Sequence, residues 1–218
     1  MCGRFTQAYT WQEMLRAYNL IGAARNLQPN YNVAPTQSIN VIGATEAGLQ
    51  VKDMRWGLIP SWWKKPLKDL PSTINARSET VAEKPMFRTA FKRSRCLIPA
   101  SGFFEWQRTG DQKQSYLIAM ADGSPMTFAG LWESWQDPDS GDEVRSCTLL
   151  TTTSNEFMQP IHHRMPVILT PEEFQTWLKG DAATLLKSCN DNLLCAHKVS
   201  KAVGNVRNNS PELLLPID

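Results

Sequence analysis

The second residue of this chain is a cysteine, preceded by a single methionine and followed by Gly3. With so small a side chain at position 2, Met1 is a candidate for removal, and the mature chain then begins with an amine and a thiol on adjacent carbons. Their reference pKa values are about 7.7–8.0 and about 8.5, so near neutral pH both reactive forms are present in usable amounts. The neutral amine condenses with an aldehyde to an imine, and the neighbouring thiol can close onto it as a five-membered thiazolidine. That closure is intramolecular, where effective molarities of about 10⁵ M are attainable. Alternatively, the thiolate attacks an amide or ester carbonyl with its own amine as base. In the plainest reading Met1 stays and Cys2 is a small buried residue. The pentapeptide Met1-Cys2-Gly3-Arg4-Phe5 leaves all three open.

Two further residues have the chemistry of proton carriers. In Gly102-Phe103-Phe104-Glu105-Trp106 one carboxylate lies within an aromatic strand. A period of two puts Phe103, Glu105 and Gln107 on one face and Phe104 and Trp106 on the other. A carboxylate against aromatic surface is a candidate acid or base near neutrality; the alternative is an exposed edge position. Pro160-Ile161-His162-His163-Arg164-Met165-Pro166 is a short loop holding two of the three histidines, and histidine is the natural proton donor at neutral pH.

A third group of residues has the chemistry of a surface for nucleic acid. Arg55 to Pro66 packs three tryptophans among prolines, a glycine and three cations. Aromatic rings interleaved with cations suit single strands, whose bases stack and whose phosphates pair; the alternative is that some of these indoles plug the core. In Thr73-Ile74-Asn75-Ala76-Arg77-Ser78-Glu79-Thr80, the Asn and Arg stand before an expected helix, capped by Asn75 or Ser78, where a phosphate could be held. That motif is weak in isolation.

Composition bounds the rest. The chain has 218 residues, 42% hydrophobic and 20% charged, which suits one domain, 1–218, with a sizeable core. Nothing approaches the ~18 apolar residues that cross a bilayer, and no signal-peptide apolar region opens the chain. Five cysteines are an odd number without framework spacing, pointing to a reducing, cytoplasmic setting. A net charge of +2 leaves any anionic partner to be held by a local face. Cys189, Cys195 and His197 fit no standard zinc spacing, and there is no phosphate-binding loop, dinucleotide fingerprint or nucleophile elbow.

The elements that must position these residues are mostly strands. Gly3–Gln7 reads as a strand, and Thr10 and Glu13 have capping-box spacing at the start of a helix to about Leu20. Ser38–Ile42, Leu49–Met54, Arg95–Pro99, Gly102–Arg108, Ser115–Met120, Thr127–Trp132, Val144–Thr152 and Val167–Leu169 read as further strands. Phe87–Phe91 reads as helical. Thr170 and Pro171 open a helix to about Leu178, and Asp181 caps a shorter one. A mixed α+β fold follows.

Together, Met1–Phe5, Tyr31-Asn32-Val33-Ala34-Pro35, Arg55–Pro60, Asn75–Thr80, Gly102–Trp106, Ile161–Pro166 and the Val199–Asn205 tail, in that order over nearly the whole chain, resemble the SRAP (SOS response-associated peptidase) family. The resemblance implies a curved, barrel-like β core with surrounding helices. It also implies a monomeric sensor and shield of abasic sites in single-stranded DNA, without cofactor or metal. That activity forms a thiazolidine crosslink through mature Cys2 after self-removal of Met1. It makes Asn75 the residue that orients the terminus, Glu105 an acid/base in imine formation and sugar opening, and His162 a proton donor or acceptor at the sugar oxygen. Arg4 and Arg77 are implied at phosphates, Trp62 and Trp63 as a wedge or stack, and Arg164 as a further DNA contact; His163 receives no role. The competing readings are an N-terminal-cysteine peptidase or amidohydrolase, and a non-covalent single-strand-binding module.

Overall fold

The computed structural model describes residues 2–218; Met1, whose removal the sequence calls for, lies outside the described residues. The strands are β1 (Phe5–Gln7), β2 (Asn30–Val33), β3 (Ser38–Ala44), β4 (Leu49–Trp56), β5 (Asn75–Arg77), β6 (Arg95–Ala100), β7 (Gly102–Thr109), β8 (Gln112–Met120), β9 (Met126–Gln136), β10 (Glu143–Thr153), β11 (Arg164–Pro166) and β12 (Leu194–Val199). Helices are few and short: α1 (Trp11–Tyr18), α2 (Arg88–Arg93) and α3 (Phe174–Lys179). Among the described residues no helix is long and apolar enough to cross a membrane.

Five strands close a barrel in the order β10, β4, β3, β6, β9, with β9 returning antiparallel to β10. Closure leaves these strands without open edges. Their residues alternate between two cores, as a period of two requires. Ile42, Leu97, Ala129 and Leu150 pack with the helices. Their chain neighbours Val41, Ile98, Phe128 and Leu149 pack with residues of a second sheet, ordered β12, β8, β7, β1, β2. The expected mixed α+β architecture with a barrel-like core is therefore the one observed.

Phe5 ties the N-terminal segment into this second core. It is fully buried and meets Trp56 edge-on at 4.9 Å and Phe128 at 5.7 Å. Burial of such a ring stabilises by about 1.5–3 kcal/mol, and each edge-to-face pair adds about 0.5–1.5 kcal/mol. Cys2, Gly3 and Arg4 thus lead directly into an anchored strand.

Two local expectations need correcting. No helix follows Ser78: Asn75–Arg77 is a strand lying parallel to β10, with Leu149 opposite Asn75 and Thr151 opposite Arg77. A run of turns then leads to α2. Pairing with a long central strand has overridden the local capping signal. The strand expected at Val167–Leu169 is instead β11 at Arg164–Pro166, and Ile168 makes only an isolated bridge to Phe128.

Candidate active site

Cys2 is placed by β1, which lies between β2 and β7 with Phe5 opposite Phe103. The register continues toward the terminus, where the Phe104 N–H donates to the Arg4 carbonyl at 2.9 Å. Gly102 makes this corner possible, since a Cβ there would sit 2.6 Å from the Ile118 carbonyl oxygen. Cys2 is completely buried. Its thiol points to the Arg4 carbonyl at 3.8 Å, and its own carbonyl accepts from Asn75 Nδ2 at 2.8 Å. Burial, and next the negative charge of Glu105, push the Cys2 thiol up, so it is held protonated.

Glu105 is reached from β7 as the alternation demands. Phe103 packs in the core that contains Cys2, whereas Phe104 and Trp106 belong to a separate cluster with Val199, Val203 and Leu213. Glu105 is buried on the Cys2 side, and its charge acts on both the Cys2 thiol and the His162 imidazole.

His162 stands just before β11. Its Nδ1 lies 2.9 Å from the Arg164 N–H and 3.0 Å from the Arg164 carbonyl oxygen. The neutral ring can accept at Nδ1 and keep its proton on Nε2, and the protonated ring can donate to the carbonyl from the same place. Burial pulls the His162 pKa down; Glu105 opposes this in part, while His163, stacked on it at 4.4 Å, adds to it. Cys2, Asn75, Glu105 and His162 thus form one cluster, joined by a hydrogen bond at Asn75 and by the charge of Glu105 between the other two. The arrangement gathers a thiol, a carboxamide, a carboxylate and an imidazole.

Of the residues expected at the DNA, Trp62 is 48% exposed and Trp63 half-buried. Their ring centres are 6.1 Å apart. The loop beneath them is pinned: Trp135 Nε1 donates to the Trp63 carbonyl at 2.6 Å, and the Ser61 and Ile59 N–H groups donate to Glu133 at 2.5 Å and Ser146 Oγ at 2.7 Å. A fixed, projecting indole is the result. Arg77 is exposed, two residues beyond Asn75 on β5.

Arg4 and Arg164, expected at the DNA, are instead largely buried. Arg4 Nη1 donates to Asn32 Oδ1 and to the Val203 carbonyl, both at 2.9 Å. Arg164 Nη2 donates to the Thr151 carbonyl at 2.7 Å and to Glu79 Oε2 at 3.0 Å, and Nη1 reaches Glu79 Oε1. Each guanidinium is taken up by one backbone carbonyl and one side chain, Asn32 for Arg4 and Glu79 for Arg164, a demand that sequence spacing does not display. Asn32 was also missed. Its Nδ2 donates to the carbonyls of Asn205 at 3.1 Å and Asn208 at 2.7 Å, tying the C-terminal tail to β2 and, through Arg4, to the terminus. An asparagine set between Tyr31 and Val33 just before the apolar Val33-Ala34 pair is the signal that could have found it. A cavity of about 530 Å³ lined in part by Tyr18, Met120, Leu169 and Phe174 contains none of the site residues.

Comparison with known proteins bears on the family and the fold. Residues 1–206 match the family model described as SOS response associated peptidase (SRAP). The chain is 39% identical to the abasic site processing protein YoqW of Bacillus subtilis, over 98% of this chain and 99% of the relative. It is 33% identical to the abasic site processing protein YedK of Escherichia coli, with both chains covered completely. A crystal structure of a protein from Bacteroides thetaiotaomicron superposes with a TM-score of 0.88 at 27% identity, covering 99% of this chain and 100% of the other. The chain belongs to the SRAP family.

Proposed function

We propose that this protein recognises abasic sites in single-stranded DNA and traps them covalently through Cys2, once Met1 has been removed by the protein itself. The observation that carries this reading is the gathering of Cys2, Asn75, Glu105 and His162 at one buried strand end. The relatives named as abasic site processing proteins support it.

The ring-closed abasic sugar must first open to its aldehyde, which needs a proton at the ring oxygen and loss of one from the C1′ hydroxyl; His162 and Glu105 exchange these. The Cys2 amine then attacks C1′, and the carbinolamine loses water to give an imine. The Cys2 thiol adds to the imine carbon and its proton passes to nitrogen, with Glu105 as carrier. One C–N and one C–S bond form, one water is released, and no oxidant or reductant is needed. Asn75, donating to the Cys2 carbonyl, holds the amine at the sugar. A thiol kept protonated by burial suits this order, in which sulfur acts last. It does not suit a peptidase that needs a ready thiolate.

Trp62 and Trp63 stack on or wedge the strand where a complementary strand would lie, and Arg77 holds a flanking phosphate. The protein acts as a cytoplasmic monomer that joins the nucleoid at damaged DNA. The test is incubation with a single-stranded oligonucleotide carrying one abasic site, followed by a denaturing gel. A heat-stable adduct that disappears in Cys2→Ala is expected. Its absence, or its survival in Cys2→Ala, refutes the reading; Cys2-dependent cleavage of added peptides would favour a peptidase.

A further inference from the structure

His162 sits in a loop that two residues outside the reacting cluster hold in place. From β7, two positions beyond Glu105, Gln107 Nε2 donates to the Pro160 carbonyl at 3.0 Å. Tyr116, which lies opposite Glu105 in the β7–β8 ladder, fixes the other end of that amide by donating to Gln107 Oε1 at 3.3 Å. On the other side, Glu79 lies two residues past β5, the strand that presents Asn75. Its carboxylate pairs with both terminal nitrogens of Arg164.

We propose that Glu79 is a positioning residue for His162, acting through Arg164; this rests on the proton-transfer role given to His162 above. The path is short. Glu79 and the Thr151 carbonyl together fix the Arg164 guanidinium. Together with its pairing opposite Thr153 at the start of β11, that holds the Arg164 backbone, whose N–H and carbonyl both address His162 Nδ1. With Nδ1 held in this way, Nε2 is the nitrogen that exchanges a proton with the sugar. Without Glu79, a largely buried guanidinium loses its counter-charge and has reason to turn toward water, carrying the Nδ1 contacts with it.

Two simpler roles for Glu79 fit less well. Its side chain is 47% exposed, so solvent screens part of its charge, and a stability role alone would leave the saturated rate unchanged. Its charge also acts on Arg77, so on a face that meets phosphates it works against binding. A carboxylate that opposes affinity, and whose guanidinium partner addresses His162 through its own backbone, is explained by what it does to the chemistry.

The two simpler roles and the positioning role separate in single-turnover crosslinking at saturating abasic single-stranded DNA. Glu79→Ala should slow adduct formation about tenfold, a fraction of the roughly 10²-fold cost of a 1 Å misplacement. It should leave DNA affinity equal or tighter. Glu79→Gln, able to accept one hydrogen bond from Arg164, should recover part of the rate. In a His162→Ala background, Glu79→Ala should cost nothing further, because the residue it positions is gone. An unchanged saturated rate in Glu79→Ala, or an undiminished loss in the His162→Ala background, overturns the proposal and leaves the crosslinking reading intact. A His162→Ala variant that crosslinks at the wild-type rate overturns both the proton role of His162 and this proposal. A wild-type protein that forms no adduct overturns the parent reading itself.

Discussion

Asn75→Ala isolates the contact that holds the reactive terminus. The side chain contributes one hydrogen bond there, Nδ2 to the Cys2 carbonyl at 2.8 Å, and Cys2 is completely buried. Removing the donor leaves a buried acceptor without its partner, which costs about 1–3 kcal/mol. If that cost falls on the geometry of attack, the rate drops by about 5- to 150-fold. Asn75→Asp should be worse than alanine, because a carboxylate would face the Cys2 carbonyl oxygen and add a second negative charge beside Glu105. Two measurements separate the effects: single-turnover adduct formation at saturating DNA, and affinity for a non-reactive abasic analogue by fluorescence anisotropy. The rate should fall by the stated factor in Asn75→Ala and further in Asn75→Asp, with affinity changed less than about threefold. A wild-type rate at saturation, or losses confined to affinity, would mean that Asn75 serves DNA binding and does not orient the amine.

Arg77→Ala should flatten the dependence of log affinity on log salt by about 0.7, the contribution of one phosphate contact on a single strand; an unchanged slope removes Arg77 from the phosphate-binding set. Trp62→Ala should weaken single-strand binding by about 1–3 kcal/mol, the value of one stacked base, with the melting temperature nearly unchanged because the indole projects from its pinned loop. Equal affinity would leave that indole without a DNA role. Since the His162 pKa lies below its ordinary value, the ring is neutral at pH 7 and becomes charged only on acidification through that lowered pKa. The Cys2 amine, with its reference value of about 7.7–8.0, sets a first decline in adduct formation on acidification, and loss of the neutral ring should add a second, steeper one below the ordinary imidazole value of about 6.5. His162→Ala should lose this second decline, and a second decline that persists in the variant belongs to another group.

The parts of the fold that were legible in the sequence are those set by short-range rules. Thr10 and Glu13 have capping-box spacing, and the Glu13 N–H does donate to Thr10 Oγ1 at 3.2 Å while the Thr10 N–H donates to Glu13 Oε2 at 2.6 Å. Alternation along β7 correctly separated Phe103 and Glu105 from Phe104 and Trp106. By contrast, β2 and β5 are only four and three residues long, and they exist through distant partners. Nothing local marks Asn75–Arg77 as the companion of Leu149–Thr151. The same limit applies to charge. Arg4, Arg77 and Arg164 look alike in sequence, yet only Arg77 is exposed, because the other two are engaged by partners brought from far along the chain, Val203 for Arg4 and Glu79 for Arg164. Glu79 was legible only as part of a motif, since its pairing with Arg164 needs β5 and β11 on either side of β10.

The central claim, covalent capture by a processed N-terminal cysteine, is tested most directly by the intact mass of the product with single-stranded DNA carrying one abasic site. The account predicts a species whose mass is the protein lacking Met1, plus the oligonucleotide, less one water, and no such species from Cys2→Ala. A product that retains Met1, or an adduct of the same mass increment on Cys2→Ala, would contradict it.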